Sequence, residues 1–210
     1  MKRLRSLILL KKYMWFSFFI YSVLTALLPG PNNILALNSS MKSGYQKSKT
    51  LLLGIYSGFT MVMVLTAFFT GFLLNTYGFL LNYLKYIGAA YLIYLAWLVI
   101  SGKPIEIDIE KEEQSYHSTG DFWKGFLLQL VNVKIIIYGI TAFSSFVFPQ
   151  YKELWIILIF AFSLSFIGNS ATWIWAVAGQ KLHHFLNRHY KVVNIIMGIL
   201  LLYCAVSLFL

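Results

Sequence analysis

Two short stretches of the chain carry groups suited to holding a charged small molecule. The first is Pro29-Gly30-Pro31-Asn32-Asn33. Neither proline has an amide hydrogen, so the carbonyls of the preceding turn lose their helical partners. Gly30 between them permits an unusual backbone angle. Asn32 and Asn33 then open a second half-helix, whose free N–H groups and positive dipole end suit an anion such as a carboxylate. The second stretch is Gln129, Asn132, Val133 and Lys134. Lys134 stands near the middle of an apolar run, where an ammonium costs about 2.5–3.5 kcal/mol on insertion scales, so it must face an interior or a cavity.

Each feature has a plainer reading beside the chemical one. The proline pair is a structural kink with asparagine caps, or it is one wall of a site. Lys134 plugs free carbonyls of the broken first helix, meets a ligand carboxylate, or does both. Asn169, beside Gly168, is a secondary candidate whose alternative is an interhelical hydrogen bond. Gly54 and Gly58 read as helix packing. His183, His184 and His189 read as solvated residues of a basic loop, without metal-ligand spacing. Cys204 reads as a small apolar residue in a late apolar run. The chain shows no P-loop, no nucleophile elbow and no intramembrane metal cluster, so neither an enzyme nor a cofactor is expected.

The elements that position these groups must be membrane helices. Of 210 residues, 59% are hydrophobic and only 11% charged, with a mean hydropathy of +0.72. A soluble domain carries roughly 25% charged residues. The apolar runs predict an all-α membrane protein of six spans, about 20 residues each. These are Tyr13 to Leu37, broken at Pro29-Gly30-Pro31; Leu51 to Leu74; Phe79 to Ile100; Gly125 to Phe148; Leu154 to Val177; and Val192 to Leu210. Four segments result: a basic N-terminal arm at 1–12, a three-span unit at 13–100, an acidic connector at 101–121 and a second three-span unit at 122–210. The arm lacks a small-residue cleavage site after a separate apolar core, so it reads as lying on the membrane surface.

The net charge of +10 reads as a topology signal, not a nucleic-acid footprint. The odd-numbered loops carry Lys42, Lys47, Lys49, Lys103, Lys111, Lys124, Lys181, Arg188 and Lys191; the even ones carry only Lys85 and Lys152. That places the odd loops in the cytoplasm and both termini outside, although the five basic residues of the arm argue the other way. Six of the seven acidic residues, Glu106, Asp108, Glu110, Glu112, Glu113 and Asp121, lie in the connector.

Two units of three spans can be related only by inversion, the second copy inserting upside down. Each unit holds its most polar sequence in its first span, and Tyr94-x-Ala96 is echoed by Tyr203-x-Ala205. Inverted repeats recur in secondary transporters, with the site near the midplane where discontinuous helices meet. Asn33 lies nine residues before Lys42 and Lys134 nine after Gly125. At about 1.5 Å per residue each sits about 14 Å from its membrane end, so the two polar centres share one depth. Alternatives are a metal or inorganic-ion carrier of similar fold, and a membrane enzyme or scaffold.

The string Pro29 to Leu37 (Pro-Gly-Pro-Asn-Asn-Ile-Leu-Ala-Leu) resembles the signature of the LysE/RhtB family of amino-acid exporters. Gly88-Ala89-Ala90-Tyr91 with Leu95-Ala96-Trp97, Leu128 to Ile136, and Tyr203-Cys204-Ala205-Val206 extend the resemblance, which covers the chain from Trp15 onward. It implies six spans in a bacterial inner membrane and proton-driven efflux of small amino acids, cysteine and O-acetylserine leading. The family motif falls here on Pro29, Gly30, Pro31, Asn32, Asn33, Asn132 and Lys134. Many relatives have Asn-Pro-Lys in the fourth span where Val133 stands here, which leaves a break in that span open. With no carboxylate in the spans, proton coupling falls to Lys134 or to the substrate itself. The expected partners are a small amino acid and the lipid bilayer; a homo-oligomer stays open.

Overall fold

A computed structural model describes residues 2–76, 80–102, 119–207 and 209. Five of the connector's acidic residues, from Glu106 to Glu113, lie outside them, as does Phe79. The regular structure described is all helical. In chain order it comprises α1 (Lys2–Leu27), α2 (Pro31–Ser43), α3 (Tyr45–Thr76), α4 (Leu80–Ile100), α5 (Thr119–Leu130), α6 (Val133–Ala142) continued by a π-helical turn (Phe143–Val147), α7 (Leu154–Arg188) and α8 (Tyr190–Ser207).

Two helices are long and apolar enough to cross a membrane singly: α3, and α7 over Leu154–Ala178. Two bent pairs bring the number to four where each pair is one span. Met14–Leu27 and Pro31–Met41 meet at 46°, and Asp121–Leu130 and Val133–Val147 at 52°. The shorter apolar helices Tyr86–Ile100 and Tyr190–Val206 complete the bundle. Its outside is apolar: Phe19, Phe68, Phe72, Trp97, Phe162 and Phe166 are all more than half exposed, an arrangement suited to lipid and hazardous in water.

Several boundaries differ from the sequence expectation. The residues assigned to the basic arm are helical from Lys2 and run unbroken into α1. α7 runs on past the apolar segment to Arg188, so His183 and His184 sit in its last turns, not in a loop. At about 1.5 Å per residue its 35 residues span about 52 Å, so the charged end projects beyond a hydrocarbon core of about 30 Å. The helix pair at the fourth expected span is broken, with a 52° bend, although Val133 stands where the resemblance implies a proline.

Close approaches join the helices. A Cβ on Gly54 or Gly58 of α3 would collide with the backbone of α5 at Phe122 or Phe126, and one on Gly125 would collide with α3 at Leu51. Gly54 and Gly58 are therefore packing residues. α4 lies along α8, while α2 packs against α7 and α3. The first broken pair is thereby set against the second, across the interior of the bundle.

Candidate functional site

Pro29 stops the ladder of α1. Leu28 N still donates to Leu24 O at 2.9 Å, but the carbonyls of Ala26, Leu27 and Leu28 have no amide to accept from within the helix. Side chains meet them instead. Asn33 Nδ2 of α2 reaches back to Ala26 O at 2.8 Å and Leu28 O at 3.0 Å. Trp175 Nε1 of α7 donates to Leu27 O at 3.1 Å. Lys134 Nζ of α6 donates to Leu28 O at 2.8 Å.

Gly30 corrects one expectation. Its φ of −162° and ψ of 174° are extended backbone, which any residue adopts. What glycine supplies is room. A Cβ at this position would stand 2.9 Å from Lys134 Nζ and 3.0 Å from its Cδ, so the missing side chain is the slot through which the lysine reaches Leu28.

The second break forms without proline. Asn132, at φ −78° and ψ 96°, caps α6 from an extended conformation. Its carbonyl accepts from the amides of Ile135 and Ile136 at 3.0 and 3.1 Å. Its side chain points across the bundle, Nδ2 donating to Asn32 Oδ1 at 3.0 Å. Asn32 Nδ2 donates in turn to Gln129 Oε1 at 2.5 Å, and Gln129 Nε2 returns to Gly125 O at 2.9 Å. All three side chains are buried. Such a chain specifies one arrangement, because each amide left unpaired in a low dielectric costs more than in water.

The two polar centres of the sequence thus meet. Pro31, Asn32 and Asn33 at the start of α2 and Asn132, Lys134 and Ile135 at the start of α6 line one chamber of about 30 Å³. That is room enough for a water molecule. Two helix N-termini and an ammonium converge there, a positive environment for an anion. Lys134 also lines a second cavity of about 570 Å³ with Pro29, Tyr91, Tyr94, Trp175 and Asn194. This one is of ligand-pocket size, and it extends to Gly102 and Tyr190 at the ends of α4 and α8. Lys134 thus borders both this small chamber and the large, mostly apolar cavity.

Asn169 lies apart from this cluster. Its Nδ2 donates to Tyr56 O at 3.3 Å and to Ser165 Oγ at 3.2 Å, tying α7 to α3 on another face. Among the described residues no group of three His, Cys, Asp or Glu gathers, and the carboxylates described, Asp121 and Glu153, stand at helix starts. Cys204 is buried.

Three neighbours escaped the sequence reading. Thr172 Oγ1 donates to Asn33 Oδ1 at 3.1 Å, Trp175 caps Leu27, and Thr25 lines the chamber. Thr172 and Trp175 stand three apart on α7, a spacing that puts both on one helix face. A tryptophan away from the interfacial belt was the available signal.

Residues 23–210 match the family model described as LysE type translocator. The cysteine/O-acetylserine efflux protein of Escherichia coli (strain K12) is 38% identical over 194 residues, covering 92% of this chain and 96% of that relative. Proteins of the same description from Escherichia coli O139:H28 and Shigella flexneri serotype 5b match to the same extent. No solved structure matches the chain.

Proposed function

The chain belongs to the LysE type translocator family, and from that premise we propose that it is a secondary exporter of small neutral amino acids, cysteine and O-acetylserine leading. A translocator of this family is a multi-span membrane protein and not an enzyme. In this reading, α4 and α8 complete six spans of a bacterial inner membrane, and 13–100 and 122–210 are inverted repeats. The acidic connector joins them, and the basic arm extends the first.

One observation carries the proposal: two half-helix N-termini and Lys134 converge on one chamber that adjoins a cavity of about 570 Å³. An amino acid in the large cavity offers its carboxylate to Lys134, which exchanges Leu28 O for the anion. The carboxylate then enters between Pro31–Asn33 and Asn132–Ile135. The substrate's remaining bulk stays against Pro29 and Trp175. With the odd loops cytoplasmic, the large cavity reaches toward the cytoplasm, from which an exporter loads. Rocking of the repeats about the two breaks then exposes the chamber to the other face. Lys134 or the substrate carries the coupled proton.

The test is flux of labelled cysteine or O-acetylserine in proteoliposomes under an imposed proton gradient. Loss of a charge-assisted hydrogen bond worth about 1.5–3 kcal/mol should slow Lys134→Ala about 10- to 100-fold. Undiminished flux in that variant would remove the lysine from the mechanism. Wild-type transport of a metal ion, with no amino-acid flux, would overturn the substrate class.

A further inference from the structure

The chamber has one wall that loading does not use. Thr25 lines it, and Ser22 lies one turn further along α1 toward the N-terminus. Thr25 is 1% exposed and Ser22 0%; neither hydroxyl makes a hydrogen bond within 3.5 Å, and that of Ser22 lies near the phenol of Tyr138. A buried hydroxyl forgoes the bonds it would make to water, and at membrane depth no solvent makes them good. Two such groups three residues apart share one helix face. Neither residue lines the large cavity.

A stack of rings stands beside Ser22. Tyr138, which also lines the chamber, stacks on Tyr21 at 5.6 Å. Tyr21 stacks on Phe146 at 5.7 Å, and Phe146 meets Phe18 edge-on at 5.8 Å. Tyr138 Oη reaches Ser22 O at 3.5 Å. Phe146 belongs to the π-helical turn Phe143–Val147, the kind of single-turn irregularity that concentrates at functional sites. Ser144 and Ser145 in that turn also hold buried hydroxyls without partners.

We infer that Ser22 and Thr25 form an exit-side binding station for the amino-acid zwitterion, closed in this conformation by the Tyr138–Tyr21–Phe146 stack. The inference rests on the export reading. The ammonium donates to the two hydroxyl oxygens as the carboxylate leaves Lys134. Rotation of the π turn draws Phe146 off Tyr21 and opens the lane to the face carrying the even-numbered loops. Thr25 serves at the chamber, and Ser22 serves nearer the exit.

Ser22→Cys, in the otherwise native chain with buried Cys204 as background, is exposed to a membrane-impermeant thiol reagent at the even-loop face. Its labelling should accelerate at least about fivefold during transport, when the open state is populated. An equal rate with and without substrate overturns the inference. Ser22→Ala/Thr25→Val supplies a second reading that needs no cysteine. Its maximal flux should fall about tenfold, the worth of one or two hydrogen bonds, while half-saturation on the loading side moves less than about twofold. Unchanged flux, or a pure loss of loading affinity, likewise overturns it. A wild-type chain that moves no amino acid fails the export reading itself; wild-type flux with unresponsive Ser22→Cys fails this inference alone.

Discussion

Lys134 Nζ and Asn33 Nδ2 share one acceptor, the carbonyl oxygen of Leu28, at 2.8 and 3.0 Å. A residue of the second broken pair thereby completes the end of the first. A neutral donor remains on the oxygen when the cation leaves. Releasing the lysine to an incoming carboxylate therefore does not orphan a buried carbonyl, which would cost about 1–3 kcal/mol. In the proposed cycle the shared acceptor lets the lysine exchange while the asparagine stays in place.

Gly30→Ala separates space from backbone freedom. The extended φ of Gly30 accepts alanine, but the added Cβ would press on Lys134 Nζ and Cδ at 2.9 and 3.0 Å. The lysine must leave its slot. Flux in proteoliposomes should fall about tenfold, and Gly30→Ala combined with Lys134→Ala should be no worse than Lys134→Ala alone, the non-additivity expected of residues acting through one contact. Additive losses would mean that Gly30 acts elsewhere.

Asn33→Leu tests the structural half of the pair. It removes the donor to Ala26 O and Leu28 O and the acceptor of Thr172. With Ala26 O left unpartnered, the variant should lose about 1–3 kcal/mol. Thr172→Val, which removes only a donor to Asn33 Oδ1, should lose about 1 kcal/mol. Thermal unfolding in detergent gives the ranking, and an Asn33→Leu variant as stable as Thr172→Val would show that the carbonyls find other partners.

Different parts of this arrangement were legible in the sequence to different degrees. The first break was plain, because two prolines a residue apart admit no continuous ladder. The meeting of Asn32 and Asn33 with Asn132 and Lys134 followed from depth counting along two helices. The second break was not marked, because what ends α5 there is the extended conformation of Asn132, and asparagine is compatible with either outcome. Asn33's reach back across the break was hidden as well: an asparagine near a helix start reads as a cap, and this one serves the preceding helix. The large cavity had no local signal. It lies where α4 and α8 meet the two breaks, and most of the residues those helices give it are apolar or aromatic, the commonest kind in any span.

Asn32→Asp distinguishes an anion site from a mere polar knot. The carboxylate keeps an acceptor for Asn132 Nδ2 but loses the donor to Gln129 Oε1. It also places a fixed negative charge between two helix N-termini and beside Lys134, where we propose that the substrate's carboxylate binds. Amino-acid flux should fall at least about tenfold with a raised half-saturating concentration, since like charge now occupies the site. Thermal stability should hold within about 1 kcal/mol, because the same N-termini favour the new anion. A large drop in both flux and stability would reduce Asn32 to a structural role.

Val133→Pro installs the residue that the family resemblance implies at this position. Here Val133 is the first residue of α6, where an amide has no intrahelical acceptor and proline is well tolerated. The preceding residue must be extended for proline to follow, and Asn132 already is, at φ −78° and ψ 96°. The valine side chain is 64% exposed, so little packing is lost. Fixing φ in the unfolded chain should then raise stability by about 0.4–1 kcal/mol. Flux should stay within about twofold of the native chain, because Lys134 and the Asn132 cap keep their geometry. Thermal unfolding and flux on the same preparation check both halves. A loss of stability would show that the amide of Val133 makes a bond that fixes the second break.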